Sequence, residues 1–94
     1  MDNKYYNFSS RQFLTNGNFI PDPEVIGLTF KNLGTTTAYV NGVPLLPPPG
    51  PGLAGESFSM SANGRNEFFA GNIQINFDTG SGLLLVIQQY YLNK

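Results

Sequence analysis

The side chains best suited to chemistry in this 94-residue chain are six carboxylates: Asp2, Asp22, Glu24, Glu56, Glu67 and Asp78. There is no histidine and no cysteine. Nucleophilic catalysis of the serine or cysteine type therefore lacks its usual base, and the commonest metal ligands are missing. A glycosidase needs two carboxylates facing a sugar cleft, and no spacing here pairs two of the six. Asp22 and Glu24 flank Pro23 and suit at most a weak hard-cation contact or a solvated loop. The glycine-rich stretches at 50–55 and 80–82 lack the Lys-Ser/Thr of a phosphate loop and open no helix. No catalytic, cofactor-binding or metal-binding residue is assigned.

One string calls for separate treatment. Asp78-Thr79-Gly80-Ser81 has the composition of the aspartic protease motif. In that family two such aspartates, one from each half of the active unit, share a proton. Most of the chain follows the string there and supplies the flap and a hydrophobic-Gly-Arg-Asn/Asp support. Here only Ser81–Lys94 follow, and Gly64-Arg65-Asn66 comes before the aspartate without an apolar pair ahead of it. The order is wrong for a protease. Asp, Thr and Gly in succession also suit a β-turn, with Asp capping the local backbone and Gly supplying positive φ. Asp78 is expected to be a turn residue.

The elements around these groups are strands. Eleven glycines and seven prolines interrupt the chain every few positions, and β-branched and aromatic residues fill the gaps. Val25–Asn32 alternates as a half-buried strand. Asn41-Gly42 joins Thr36–Val40 to Val43–Leu45 as a hairpin, because both turn residues need positive φ. Pro44 puts the second arm at an edge. Residues 45–55, "LLPPPGPGLAG", are a loop or a polyproline II ligand. Glu56–Ser61, Glu67–Ala70, Asn72–Phe77 and Leu83–Leu92 are further strands, with a turn at 62–66. The expected fold is all-β: a small antiparallel β-sandwich or jelly-roll-like barrel of six to seven strands. Residues 1–23 are expected to be an extended N-terminal arm, and 24–94 the β-sandwich domain.

The last strand is apolar on both faces, Leu83, Leu85 and Ile87 alternating with Leu84 and Val86, so both faces should be covered. One face belongs to the core, and the other is left for the arm or a second subunit. The arm carries aromatics without a sustained period and packs on its own domain or on a neighbour. Candidates for an interface are Tyr5, Tyr6, Phe8 and Phe13 from the arm and Leu84, Val86, Tyr90 and Tyr91 from the last strand. Alternatively, Tyr39, Tyr90 or Tyr91 stack against sugar faces in a carbohydrate-binding module, or are simply core.

Charged residues make up 12% of the chain and its net charge is −1, against about 25% charged in an ordinary domain. Lys4, Arg11, Lys31, Arg65 and Lys94 are scattered, which excludes a phosphate-tracking nucleic-acid surface. The longest unbroken apolar run, Leu83–Ile87, is far short of a membrane span. The N-terminus has no apolar core or cleavage pattern, and the initial methionine argues against a removed signal. Asn7-Phe8-Ser9 matches the glycosylation tripeptide, here expected to be coincidental.

Residues 28–60, "LTFKNLGTTTAYVNGVPLLPPPGPGLAGESFSM", resemble small bacteriophage virion proteins of the capsid-decoration, vertex or fibre-associated type. A strand ends in Asn-x-Gly-Thr, a Thr-rich strand leads to Asn-Gly, and a loop closes on Gly-Glu-Ser before the next apolar strand. The proline insertion before Gly55-Glu56-Ser57 departs from that pattern. The resemblance implies a non-enzymatic subunit of a virion assembled in the host cytoplasm, with itself and other virion proteins as partners. It transfers no catalytic residue.

Overall fold

The computed structural model describes residues 6–50, 52–62 and 68–91. The described residues form no helix and eight strands: β1 (Tyr6–Thr15), β2 (Gly17–Phe19), β3 (Val25–Asn32), β4 (Ala38–Val40), β5 (Val43–Leu45), β6 (Ser57–Ser61), β7 (Ile73–Phe77) and β8 (Ser81–Tyr91). The all-β expectation holds, but the count of six to seven falls short. Two strands come from 6–19, the stretch read as an arm. One expected strand is lost, because Phe68–Ala70 is irregular; Glu67 lies outside the described residues, as does most of the turn expected at 62–66. Phe69 donates its N–H to Val25 O at 2.9 Å and packs its ring against the core as a loop residue.

The strands make two four-stranded antiparallel sheets, ordered β1-β8-β3-β6 and β2-β7-β4-β5. Pairing is nested: β4 with β5, β3 with β6, β2 with β7 and β1 with β8. The chain is thus one long hairpin closed at Asn41-Gly42. Contacts of β3 with β8 and of β4 with β7 roll that hairpin into two layers. The closing turn works as its residue types predict, with φ of 49° at Asn41 and 85° at Gly42. Pro44 sits on an edge strand, where its missing N–H costs no ladder bond.

The core lies between the layers. Leu28, Phe30, Leu84 and Val86 face Phe19, Val40, Ile75 and Phe77, all buried. Phe19 is its hub, edge-on to Phe13 (centroids 5.5 Å apart) and to Phe30 (6.4 Å). This fixes which side of β8 is inside. Leu84 and Val86 are 0% exposed, so these two interface candidates are corrected to core residues. Leu85 and Ile87 point outward and are half-buried. Both faces of β8 are apolar, so alternation alone could not choose between them.

Candidate functional site

Four local constructions use the residues with chemical potential. The first is the Asp78 turn. Gly80 donates its N–H to Phe77 O at 3.0 Å and holds φ at 78°, so the chain turns between β7 and β8. The Asp78 carboxylate does not cap this turn. Its Oδ1 accepts the Tyr39 hydroxyl at 2.7 Å from the neighbouring strand β4. That hydrogen bond, helped by partial burial and the nearby negative charge, holds the Tyr39 phenol above its ordinary pKa. Thr79 Oγ1 and Thr36 Oγ1 both donate to Ser81 O at 3.0 Å, closing the corner. A proton-sharing aspartate needs a second carboxylate; the Asp78 oxygen that bonds here bonds a phenol.

The second construction explains the Asn-x-Gly and Gly-Glu residues of the stretch 28–60. Asn32 is fully buried at the end of β3. Its Nδ2 donates to Thr36 O (2.9 Å) and to Leu45 O (2.8 Å), and its Oδ1 accepts from Gly34 N–H (2.9 Å). One amide therefore ties β3, the loop before β4 and the end of β5. Glycine is required twice beside it. A Cβ on Gly34 would meet Leu83 N at 2.7 Å, and one on Gly55 would collide with Asn32 O. Glu56 then binds Leu46 twice, by N–H to Leu46 O (2.9 Å) and by Oε1 accepting Leu46 N–H (2.8 Å). Asn32 N–H closes onto Glu56 O at 3.1 Å. Asn-x-Gly and Gly-Glu are thus fasteners that gather the proline loop's two ends.

The third construction anchors β1. Gln88, fully buried on β8, accepts Asp22 N–H through Oε1 (2.7 Å) and donates Nε2 to Asp22 Oδ2 (3.0 Å) and Ser9 Oγ (3.2 Å). Arg11 Nη2 meets Asp22 Oδ1 at 2.9 Å, and its guanidinium lies 5.7 Å from the Phe19 ring centroid. Both Asp22 oxygens are therefore committed to protein partners, which removes the cation suggested for Asp22 and Glu24. No cluster of three or more potential metal ligands occurs among the described residues.

The fourth is a surface. Cross-strand register sets three rows on the outward face of the first sheet. They are Phe8–Gln89–Gly27–Ser61, Ser10–Ile87–Thr29–Ser59 and Gln12–Leu85–Lys31–Ser57. The Thr29 and Ser59 hydroxyls share a hydrogen bond at 3.1 Å. An open groove of about 510 Å³ runs beside Phe8, Ser10, Thr29, Leu85 and Ile87. Its apolar floor is Leu85 and Ile87, and Phe8, 59% exposed, stands at one wall. Lys31 is the one charge in the three rows. The outward face of the second sheet differs, with the paired residues Asn18–Gln74 and Asn76–Tyr39–Pro44 and no aliphatic stripe.

The candidates from sequence divide as follows. Phe8 is on the exposed surface, while Phe13 and Tyr90 are partly buried against the core. Tyr91 is half-buried at the end of β8. Tyr5 and the side chain of Tyr6 lie outside the described residues. The sugar platform loses support, since Tyr39 is bound to Asp78 and Tyr90 packs on the core. The residues missed were Leu85 and Ile87, whose signal was present in the alternation but assigned to the wrong side. The chain matches no family model, no curated protein and no solved structure.

Proposed function

We propose that this chain is a non-enzymatic structural subunit of a virus particle, a minor capsid, vertex or decoration protein built on a jelly roll. The strand order carries the reading. Sheets ordered β1-β8-β3-β6 and β2-β7-β4-β5, formed by rolling one nested hairpin, match the double-sheet jelly roll, an architecture recurrent in viral capsid domains. This is an analogy of fold and not of a site. The likeness of residues 28–60 to small phage virion proteins points the same way. The groove beside Phe8, Leu85 and Ile87 adds an uncharged surface of the kind that subunit contacts use.

The test is incorporation. The gene is expressed together with its flanking reading frames, particles are purified on a density gradient, and their proteins are quantified by mass spectrometry. The expected result is this chain at a fixed ratio to the major shell protein. Particles that lack it while the soluble chain accumulates would refute the reading. Jelly rolls also serve as lectins, so binding on a glycan array without incorporation would point to a sugar-binding module instead.

A further inference from the structure

We infer that β1 is a self-pairing edge, through which two copies of this chain join into one continuous eight-stranded sheet about a two-fold axis at Ser10. The inference rests on the reading of the chain as an assembly subunit, and it names the partner and the contact.

Each sheet has two outer strands, and open edges invite pairing unless they are shortened or blocked. Two of the four are blunted, and a third is half the length of the fourth. β2 and β5 have three residues each, and β5 contains Pro44; β6 has five. β1 is the exception, with ten residues, no proline and no lysine. Its single charge, Arg11, is half exposed and paired with Asp22. Among the described residues β1 pairs with β8 alone.

The ladder shows which groups are free. Asn32 N–H bonds Glu56 O and Ala62 N–H bonds Ile26 O, so the even positions of β3 address β6 and its odd positions address β8. By alternation, odd residues of β8 then address β3 and even ones address β1, which leaves the main-chain groups of Phe8, Ser10 and Gln12 on the open edge. Phe8 N–H agrees, because its acceptor is the Asn7 side chain at 3.0 Å rather than β8.

A partner must present the same spacing and keep outward faces together. A second β1, run antiparallel about Ser10, does both. Phe8 then lies opposite Gln12 of the second copy, and Ser10 opposite Ser10. These three pairs offer about six main-chain bonds, two of them made only when Phe8 N–H exchanges its Asn7 acceptor for the second copy. In this register Arg11 faces Ser9, whereas an axis at Arg11 would set two guanidinium groups opposite each other. The register also stays within the stretch before the bulge at Phe13–Thr15. Such an isologous contact closes on itself and leaves a discrete dimer.

The isolated chain is measured by sedimentation equilibrium from about 1 µM to about 1 mM, a range that spans weak association. The weight-average mass should double. Ser10→Pro removes the central edge-facing N–H without touching the β1–β8 ladder, and should keep the far-UV dichroism and give monomer throughout. The chain has no cysteine, so single substitutions report cleanly. Under mild oxidation Ser10→Cys should cross-link at least tenfold faster than Gln12→Cys. Directly opposed residues sit at disulfide distance, while two Gln12 positions would be about 14 Å apart. Monomer at every concentration, a dimer indifferent to Ser10→Pro, or equal cross-linking rates would overturn the inference. So would a dimer split by Ile87→Asp but not by Ser10→Pro, which would place the contact on the sheet face. A β1 dimer that never enters particles would leave this inference standing and remove the virion reading. A monomer that does enter particles would do the reverse.

Discussion

Replacing Asn32 with alanine removes three hydrogen bonds at one point in the fold. The partners lose unequally. Leu45 O, buried beside Asn32, would lose this donor and keep only its ladder partner Ala38, at about 0.5–1.5 kcal/mol. Thr36 O and Gly34 N–H lie nearer solvent and can recruit water, at roughly 0.5–1 kcal/mol each. The total is about 1.5–3.5 kcal/mol, a large share of the roughly 5–15 kcal/mol that stabilises a small domain. Thermal unfolding followed by far-UV dichroism should show Tm lower by roughly 6–28 °C, at about 4–8 °C per kcal/mol. A loss below about 1 kcal/mol with an unchanged denaturant slope would refute the fastener role. Asn32→Asp supplies the sign test. Its carboxyl would keep the acceptor for Gly34 N–H but would face two carbonyl oxygens in a buried site. Burial and those oxygens raise its folded pKa above the unfolded value of about 3.9. A raised folded pKa favours the native state below the unfolded pKa and loses that contribution as pH rises through the folded pKa. The deficit against wild type should therefore shrink between pH 7 and pH 4; a deficit that grows on acidification would contradict the geometry.

Two further perturbations address the β7–β8 corner. Asp78→Asn should cost less than about 1 kcal/mol in urea unfolding, since an amide oxygen still accepts the Tyr39 hydroxyl. Asp78→Ala should bring the Tyr39 phenol down towards its ordinary value, read by NMR titration; an unmoved Tyr39 would mean that the hydrogen bond does not set its pKa. In wild type the contribution of this contact is present below pH about 10 and fades as pH rises through the elevated folded pKa. Gly82→Ala should destabilise by roughly 1–3 kcal/mol, because a Cβ there would collide with the Phe77 ring and crowd Thr36 Oγ1 at 3.0 Å.

Much of the fold was legible where one face is apolar and the other polar. The span of β3, the Asn41-Gly42 turn and the edge position of Pro44 all followed from residue type. β1 did not, and its inward positions show why. Ser9 and Arg11 stand on its inner side where apolar residues would normally mark the face; Gln88 bonds Ser9, and Asp22 pairs with the half-exposed Arg11. A polar network assembled over 66 positions of sequence leaves no local trace. Phe68 and Phe69 misled in the opposite direction: neither joins a ladder, Phe69 filling a gap beside the core while Phe68 stays exposed. For the candidate site, the apolar floor was visible in the alternation of β8, but its outward direction depended on packing between two layers.

The nested pairing also fixes an order of events at the ribosome. Ala38 meets Leu45 only 7 positions later, whereas Ser10 waits for Ile87, 77 positions downstream. At about 5–20 residues per second, roughly 4–15 s separate synthesis of the first strand from that of its ladder partner. Throughout that interval β1 has both edges bare. On a polysome, neighbouring nascent chains hold the same unsatisfied strand close together, and an early-made β1 can meet a neighbour's newly made β8 before that β8 has closed on its own first strand. Exchange of the first strand between copies is then a hazard of crowded synthesis, and it should fall when translation initiation is slowed.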